Sequence, residues 1–322
     1  MAIQSTCDDP AGSDKAVVFG CDRRYAPFAL QAAAQIDALA PGRDFDICLA
    51  STEPISLPPG LAHRRIRVAE IETGGVFAAM KLDARRTEAA YLRLALPAAL
   101  ARDYRRLLYL DADIFVQGGN VSALLEAGLG GRPIAAVRDN KQWRSPGRRP
   151  ASFQRLGLPA LPYFNSGVQL IDVAAFREQE VLERCLAFAA AHPPEQIGLD
   201  QELINAVLLG GWAELSPVWN WQYTWASRLS EAMVGANIVH FIGSKKPWTH
   251  DQGELPLRFR RAYRAFLTEH YPDGPTVGPD GVEPLRDPRF FLKMLAKHMI
   301  AAGSMAAYLR RFPHELTVLV DH

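Results

Sequence analysis

The chain has 322 residues, 48% of them apolar, and 36 lysines and arginines stand against 35 acidic residues for a formal net charge of +1. That balance provides no broad positive field to hold a polyanion, so nucleic acid is excluded as the main partner. The length suffices for one large α/β core or two smaller ones, and no run of about 18 uncharged apolar residues offers a membrane-spanning helix.

Residues 1–14 lack both the basic start and the apolar stretch of a signal peptide and read as a flexible tail. "KAVVFGCD" predicts a strand ending in a glycine turn, and "FALQAAAQIDALA" a helix stopped by Pro41-Gly42. "FDICLAS" and "HRRIRVAEI" read as further strands, with "SLPPGL" as loop between them. "RRTEAAYLRLALPAALA" has helical spacing and feeds "RRLLYLDADIFV", whose apolar run lacks alternation, as expected of a strand covered on both faces.

Beyond residue 132, "PIAAVRD" and "SGVQLIDV" read as strands around a basic, flexible loop, "NKQWRSPGRRPASFQRLGLP". "AAFREQEVLERCLAFAAAH" predicts one amphipathic helix, "LDQELINAVLLGG" a shorter one closed by two glycines, and "ANIVHFIGSKKPW" a strand running into a turn. "YPDGPTVGPDGVEPLRDP" reads as a linker, and residues 289–311 as a helix rich in methionine, leucine and basic residues. The chain thus divides into a tail (1–14), one α/β domain (15–270), and a linker with a C-terminal helical extension (271–322). Cys7, Cys21, Cys48 and Cys185 form no Cys-x-x-Cys pair, which points to reduced thiols in a cytoplasmic protein.

Chemistry concentrates where the run 107–110 ends on Asp111 and Asp113. A strand's period of two sends both carboxylates to one face and Ala112 away from it, and two carboxylates on one face can share a hard divalent cation. Asp44 and Asp46 repeat the spacing, but they begin an apolar run. Ligands of open α/β sheets lie beyond the carboxyl ends of strands, so that pair reads as a solvated strand start. Alone, Asp111 and Asp113 fit a turn after a strand equally well. His240 alone reads as a packed core residue. Together the three make a mixed oxygen and nitrogen set suited to Mn2+ or a similar ion, with positions left for phosphate oxygens. Gly243 can bring backbone N–H groups near those phosphates, and Lys246 can place a compact charge on them.

Six blocks in order, "VVFGCDRRYAPF", "TEAAYLRLALP", "LLYLDADIFV", "YFNSGVQLIDV", "LDQELINAVL" and "VHFIGSKKPW", resemble the family 8 glycosyltransferases over about residues 15–250. These are retaining enzymes of GT-A fold that include bacterial lipopolysaccharide galactosyl- and glucosyltransferases and glycogenin. The resemblance implies a Rossmann-like mixed sheet flanked by helices in a single catalytic domain. It also implies transfer of glucose or galactose from a UDP-sugar to a glycan or glycolipid, with Mn2+, or Mg2+ in its place, on the diphosphate. By the same resemblance Asp111, Asp113 and His240 match the metal ligands, Ala112 lies between two of them in the donor site, and Gly243 with Lys246 matches the diphosphate clamp. Asp22 and Tyr25 match uridine contacts. Arg93, otherwise a surface helix arginine, matches the arginine near the donor sugar. Asn165, Ser166 and Gly167 match the turn on the sugar hydroxyls, and Asp139 a looser sugar contact.

Asp200 and Gln201 match the pair beside the anomeric carbon, where the Gln201 amide oxygen is expected to stabilise an oxocarbenium-like centre. Read without the resemblance, Asp200 caps the following helix. No acidic residue stands at the nucleophile position, which favours same-face attack. Arg24 stands where the family usually has asparagine and leaves the ribose or base contact open.

Two other readings compete. A haloacid-dehalogenase-like phosphohydrolase also carries Asp-x-Asp after an apolar strand, but Phe115 occupies the place of its threonine or valine, and His240, Lys246 and Asp200-Gln201 go unexplained. A non-catalytic UDP-sugar-binding protein is the other. The segment 287–312 mixes Phe290, Phe291, Leu292, Met294 and Leu295 with Arg289, Lys293, Lys297, Arg310 and Arg311. Such a mixture suits peripheral contact with the inner face of an anionic membrane, or a helix packed on the catalytic domain. The acceptor, the choice between glucose and galactose, and the oligomeric state are not written in the sequence.

Overall fold

The structure, a computed structural model, describes residues 3–78, 80, 88–193, 196–249, 255–281, 283 and 286–321. Among these the strands are β1 (Gln4–Cys7), β2 (Lys15–Gly20), β3 (Asp46–Ser51), β4 (Ile66–Glu72), β5 (Arg106–Leu110), β6 (Ile114–Val116), β7 (Ile134–Arg138), β8 (Phe164–Asp172), β9 (Ala213–Leu215), β10 (Trp221–Gln222), β11 (Ile238–His240) and β12 (Val318–Leu319). The helices are α1 (Ala26–Leu39), α2 (Leu92–Ala99), α3 (Val121–Leu125), α4 (Asn140–Trp143), α5 (Ala151–Arg155), α6 (Val173–Glu178), α7 (Val181–Ala191), α8 (Asp200–Leu208), α9 (Arg228–Val234), α10 (Leu257–His270) and α11 (Pro288–Leu309).

Nine strands form one sheet in the order β1-β4-β3-β2-β5-β8-β7-β9-β12. Strands β4, β3, β2 and β5 run parallel, and β8 lies antiparallel between β5 and β7. The apolar runs lack alternation because both faces are covered. Val17 and Phe19 of β2, with Leu108 and Leu110 of β5, enter the core beside α1, whereas Ala16, Val18, Leu107 and Tyr109 enter the core beside α2, α6, α7 and α8. After β2 the chain builds outward through β3 and β4, then returns to place β5 on the other side of β2. That reversal opens a crevice at the carboxyl ends of β2 and β5.

The mixed α/β sheet flanked by helices is the architecture expected, and several elements differ from expectation. Gln4–Cys7, read as part of a loose tail, pairs antiparallel with β4. Residues 105–116 do not form one strand. The chain leaves the large sheet after Leu110, turns, and enters a second sheet of order β10-β11-β6. The segment 174–192 is two helices, broken where Glu180 adopts φ 50°. Residues 85–87, the expected start of a helix, lie outside the described residues, and Glu88–Tyr91 forms a 3-10 turn before α2. The C-terminal segment is built into the body: β12 extends the large sheet by pairing with β9, and α11 buries Met294, Ala301, Met305 and Tyr308.

Candidate functional site

Asp111 and Asp113 sit in the turn between the two sheets. The Asp111 N–H donates to the Gly167 carbonyl of β8 at 2.8 Å, and the Phe241 N–H donates to the Asp113 carbonyl at 3.0 Å. Backbone pairing to both sheets, rather than strand pleat, thus aims the two carboxylates. His240 ends β11, opposite Ile114. Its Nε2 lies 3.2 Å from Asp113 Oδ1 and 3.8 Å from Asp111 Oδ2.

A chain of amides fixes the imidazole. His240 Nδ1 meets Asn220 Oδ1 at 2.9 Å, Asn220 Nδ2 donates to Asn165 Oδ1 at 2.9 Å, and Asn165 Nδ2 donates to Gln201 Oε1 at 3.2 Å. With the Asn220 oxygen turned to Nδ1, the ring is held with Nε2 toward the carboxylates, the orientation a metal-ligating histidine needs. Gly167 makes this close approach sterically feasible. A Cβ there would collide with the His240 ring and stand 2.8 Å from Asp111 Oδ2.

Arg93 is no surface arginine. It is 6% exposed, and it donates through Nη1 to the Ser166 carbonyl at 2.6 Å and to Ser166 Oγ at 2.8 Å, and through Nη2 to Asp111 Oδ1 at 2.8 Å. Its Nε lies 3.1 Å from Asp200 Oδ2, and its guanidinium lies over the Tyr109 ring. Tyr109 donates to the same Asp111 oxygen at 2.9 Å, and burial pushes its phenol well above the ordinary value, so the hydroxyl stays a donor. Asp111 therefore keeps Oδ2 for any further partner. Asp200 accepts from Ser166 Oγ at 3.0 Å and makes no cap, because the N-cap of α8 is Leu199.

Lys246 donates to Asp113 Oδ2 and to the Phe241 carbonyl. Burial works to raise the Asp113 pKa, but the charges of Lys246 and His240 outweigh it and hold the carboxyl far below its ordinary value. Gly243 takes φ 84° in the turn before Lys246, a conformation suited to glycine. Gln201 Oε1 accepts from the Ser166 N–H at 3.1 Å as well as from Asn165, so the oxygen expected at the anomeric centre is turned toward β8 here.

A cleft of about 1490 Å³ gathers these groups. Asp22 and Tyr25 line one end, Arg93, Asp111, Ala112, Asp113, His240 and Lys246 the middle, and Gln201 and Asp139 the other side. Asp22 accepts from the Tyr25 N–H at 3.1 Å and pairs with the exposed Arg24 at 3.0 Å. Asp139 accepts from the Lys141 N–H at 3.1 Å as the cap of α4. Gly167 lies behind the cleft rather than in its lining. Ligand atoms of Asp111, Asp113 and His240 all lie within 4.8 Å of one another. Two carboxylates with a pre-oriented imidazole fit a divalent ion of oxygen and nitrogen preference.

Two members of this network escaped sequence reading. Tyr109 stands two residues before Asp111, so strand period alone could have marked it. Asn220 and Gln222 are the two amides within "VWNWQY", and polar side chains inside an aromatic run are a signal of buried hydrogen-bonding roles.

A sequence profile of glycosyl transferase family 8 matches residues 16–252. The general stress protein A of Bacillus subtilis (strain 168) is 31% identical over 177 residues, which cover 50% of this chain and 59% of that protein. The lipopolysaccharide 1,2-glucosyltransferase of Escherichia coli (strain K12) is 30% identical over 173 residues, 50% of this chain and 49% of that protein. The chain thus spans about half the length of the curated relatives it matches. Among solved structures, the galactosyltransferase LgtC in complex with donor and acceptor sugar analogues superposes with a TM-score of 0.63 at 23% identity, covering 78% of this chain and 95% of that one, a likeness of fold.

Proposed function

The chain belongs to glycosyl transferase family 8, and from that membership we propose that it moves glucose or galactose from a UDP-sugar to a hydroxyl of a glycan or glycolipid, retaining the anomeric configuration. Membership leaves the phosphohydrolase reading without support. The observation that supports the proposal best is the meeting of His240 Nε2 with Asp113 Oδ1 at 3.2 Å inside a cleft that also holds Lys246 and Arg93.

Held by Asp111, Asp113 and His240, a divalent ion, Mn2+ or Mg2+, would offset the charge gathering on the departing diphosphate. Asp22 and Tyr25 take the nucleoside at the carboxyl end of β2, and Tyr25 offers a face for the base. Gly243 presents backbone N–H groups to the phosphates. Lys246 exchanges its contact with Asp113 for a phosphate oxygen. Arg93 works as a positioning residue, since its N–H groups already hold Asp111, Ser166 and Asp200 in place. Asp200, Asn165 and Ser166 face the sugar hydroxyls. Gln201 supplies a dipole beside the anomeric carbon. As the bond from that carbon to the phosphate oxygen breaks, the acceptor hydroxyl attacks from the same face, and its proton passes to the phosphate oxygen that leaves.

No helix among the described residues is long and apolar enough to cross a membrane. One face of α11 packs on the body while the opposite face exposes Leu292, Met299 and Ile300 at 63%, 66% and 79%, near Arg289, Lys293 and Lys297. We assign that outer face to peripheral contact with an anionic lipid surface carrying the acceptor.

A screen of UDP-hexoses with Mn2+ tests the main proposal. Slow release of UDP from one of them, abolished by Asp113→Asn, is the expected result. Phosphate release from phosphomonoesters, with no UDP-hexose consumed, would replace it with hydrolase chemistry.

A further inference from the structure

The basic loop after β7 lines the same cleft as the donor-side residues. Along the large sheet, β2 brings Asp22 and Tyr25, β5 brings Asp111, the start of β8 brings Asn165 and Ser166 beneath Gln201, and the end of β7 brings Asp139 and the loop 140–155. The loop therefore lies past the sugar position, on the side away from the nucleoside, where an acceptor must enter.

It is a built wall rather than the flexible loop its composition suggests. Trp143 is buried, donates through Nε1 to the Arg138 carbonyl at 2.6 Å, and tilts against Trp221. Gln142, 2% exposed, donates to the carbonyls of Arg148 at 2.8 Å and Leu161 at 3.1 Å and accepts from the Tyr163 N–H at 2.9 Å. Phe153 is fully buried against Tyr163. Tyr163, packed on Phe153, itself lines the cleft, and burial pushes its phenol well above the ordinary value, so one residue joins the cleft to this wall.

These anchors hold four cations on the cleft surface: Lys141, Arg148, Arg149 and Arg155. Arg155 is neutralised by Glu202 at 2.6 Å. Arg149 donates to the Leu158 carbonyl at 2.6 Å and the Phe153 carbonyl at 3.3 Å. The side chains of Lys141 and Arg148 pair with no carboxylate among the described residues. Among the described residues, Asp139, Asp200 and Glu202 are the acids on this side of the cleft, and Asp200 and Glu202 are already paired with Arg93 and Arg155. Uncompensated cations lining a cleft beside a sugar site attract a charged ligand group.

We infer that this wall is an anion subsite, and that the acceptor carries a phosphate or carboxylate near the hydroxyl that receives the sugar. The inference rests on the transferase reading, and it adds the acceptor's chemical class. Lys141 and Arg148 contact the anion, and Arg149 stiffens the wall behind them.

The test uses the full chain with UDP and Mn2+ filling the donor half, titrated with glucose, glucose 6-phosphate and glucuronate by calorimetry or NMR. Glucose 6-phosphate or glucuronate should bind about tenfold or more tighter than glucose, and the stronger of the two identifies the group. Lys141→Ser/Arg148→Ser, at two exposed positions, should erase that preference and leave UDP affinity unchanged. Equal binding of charged and neutral sugars, or an unaltered preference in the double variant, overturns the subsite. Failure to bind UDP at all overturns the donor assignment instead, so the two failures are told apart.

Discussion

At the scale of single residues, the site depends on close approach and on orientation. Gly167→Ala adds a Cβ into the His240 ring and beside Asp111. It should cut Mn2+-dependent UDP binding at least about tenfold with the circular dichroism spectrum intact; wild-type affinity would show that the imidazole takes no part. Gln201→Ala should lower turnover far more than UDP affinity, on the order of a hundredfold in kcat, because its amide serves the reacting carbon and not the nucleotide. If UDP affinity falls as much as kcat, Gln201 serves only to brace Asn165 and Ser166, the partners it has in this structure. Strand ends and residue types made Asp111, Asp113 and His240 legible in the sequence. Burial of Arg93 was not, because the acids that hold it, Asp111 and Asp200, are distant in sequence and no local pattern reports a tertiary partner.

At the scale of elements, the joint between the C-terminal helix and the sheet is electrostatic as well as apolar. Glu214 of β9, fully buried, accepts from Arg138 at 2.9 and 2.6 Å, lies 2.9 Å from Arg311, and accepts from the Tyr308 hydroxyl of α11 at 2.8 Å. Tyr308→Phe removes one donor and keeps the ring on Trp143. It should cost about 2 kcal/mol, the range for a hydrogen bond to a buried charge, read from urea midpoints; no change would mean that Glu214 is satisfied by its arginines. The other face of α11 makes a separate demand. Full-length protein should float with anionic liposomes, and Leu292→Ser/Ile300→Ser should sink; equal behaviour of the two removes the lipid contact. Helix α11 itself was readable from its composition. The break between α6 and α7 was not, since Glu180 takes a left-handed backbone with neither glycine nor proline to announce it.

At the scale of the whole molecule, the alternation of strands and helices made the large sheet legible, because parallel strands buried on both faces must be uniformly apolar. The second sheet was hidden: three strands of two or three residues are too short to carry a period, and only tertiary pairing defines them. Yet the Asp111–Asp113 turn hangs between the two. The ammonium of Lys246, resting on Asp113, already serves as an internal counterion there. A cation that takes Asp113 Oδ2 displaces it, and the freed ammonium then becomes available to an anion. Uptake of each ligand thus favours the other, and thermodynamic reciprocity makes the effect mutual. Mn2+ alone and UDP alone should each raise the unfolding temperature modestly, and the pair by more than their sum. Simple additivity would mean that Lys246 never leaves its carboxylate. On this account a tethered ammonium and the incoming ion share one carboxylate, so that the nucleotide and the ion load as a single unit.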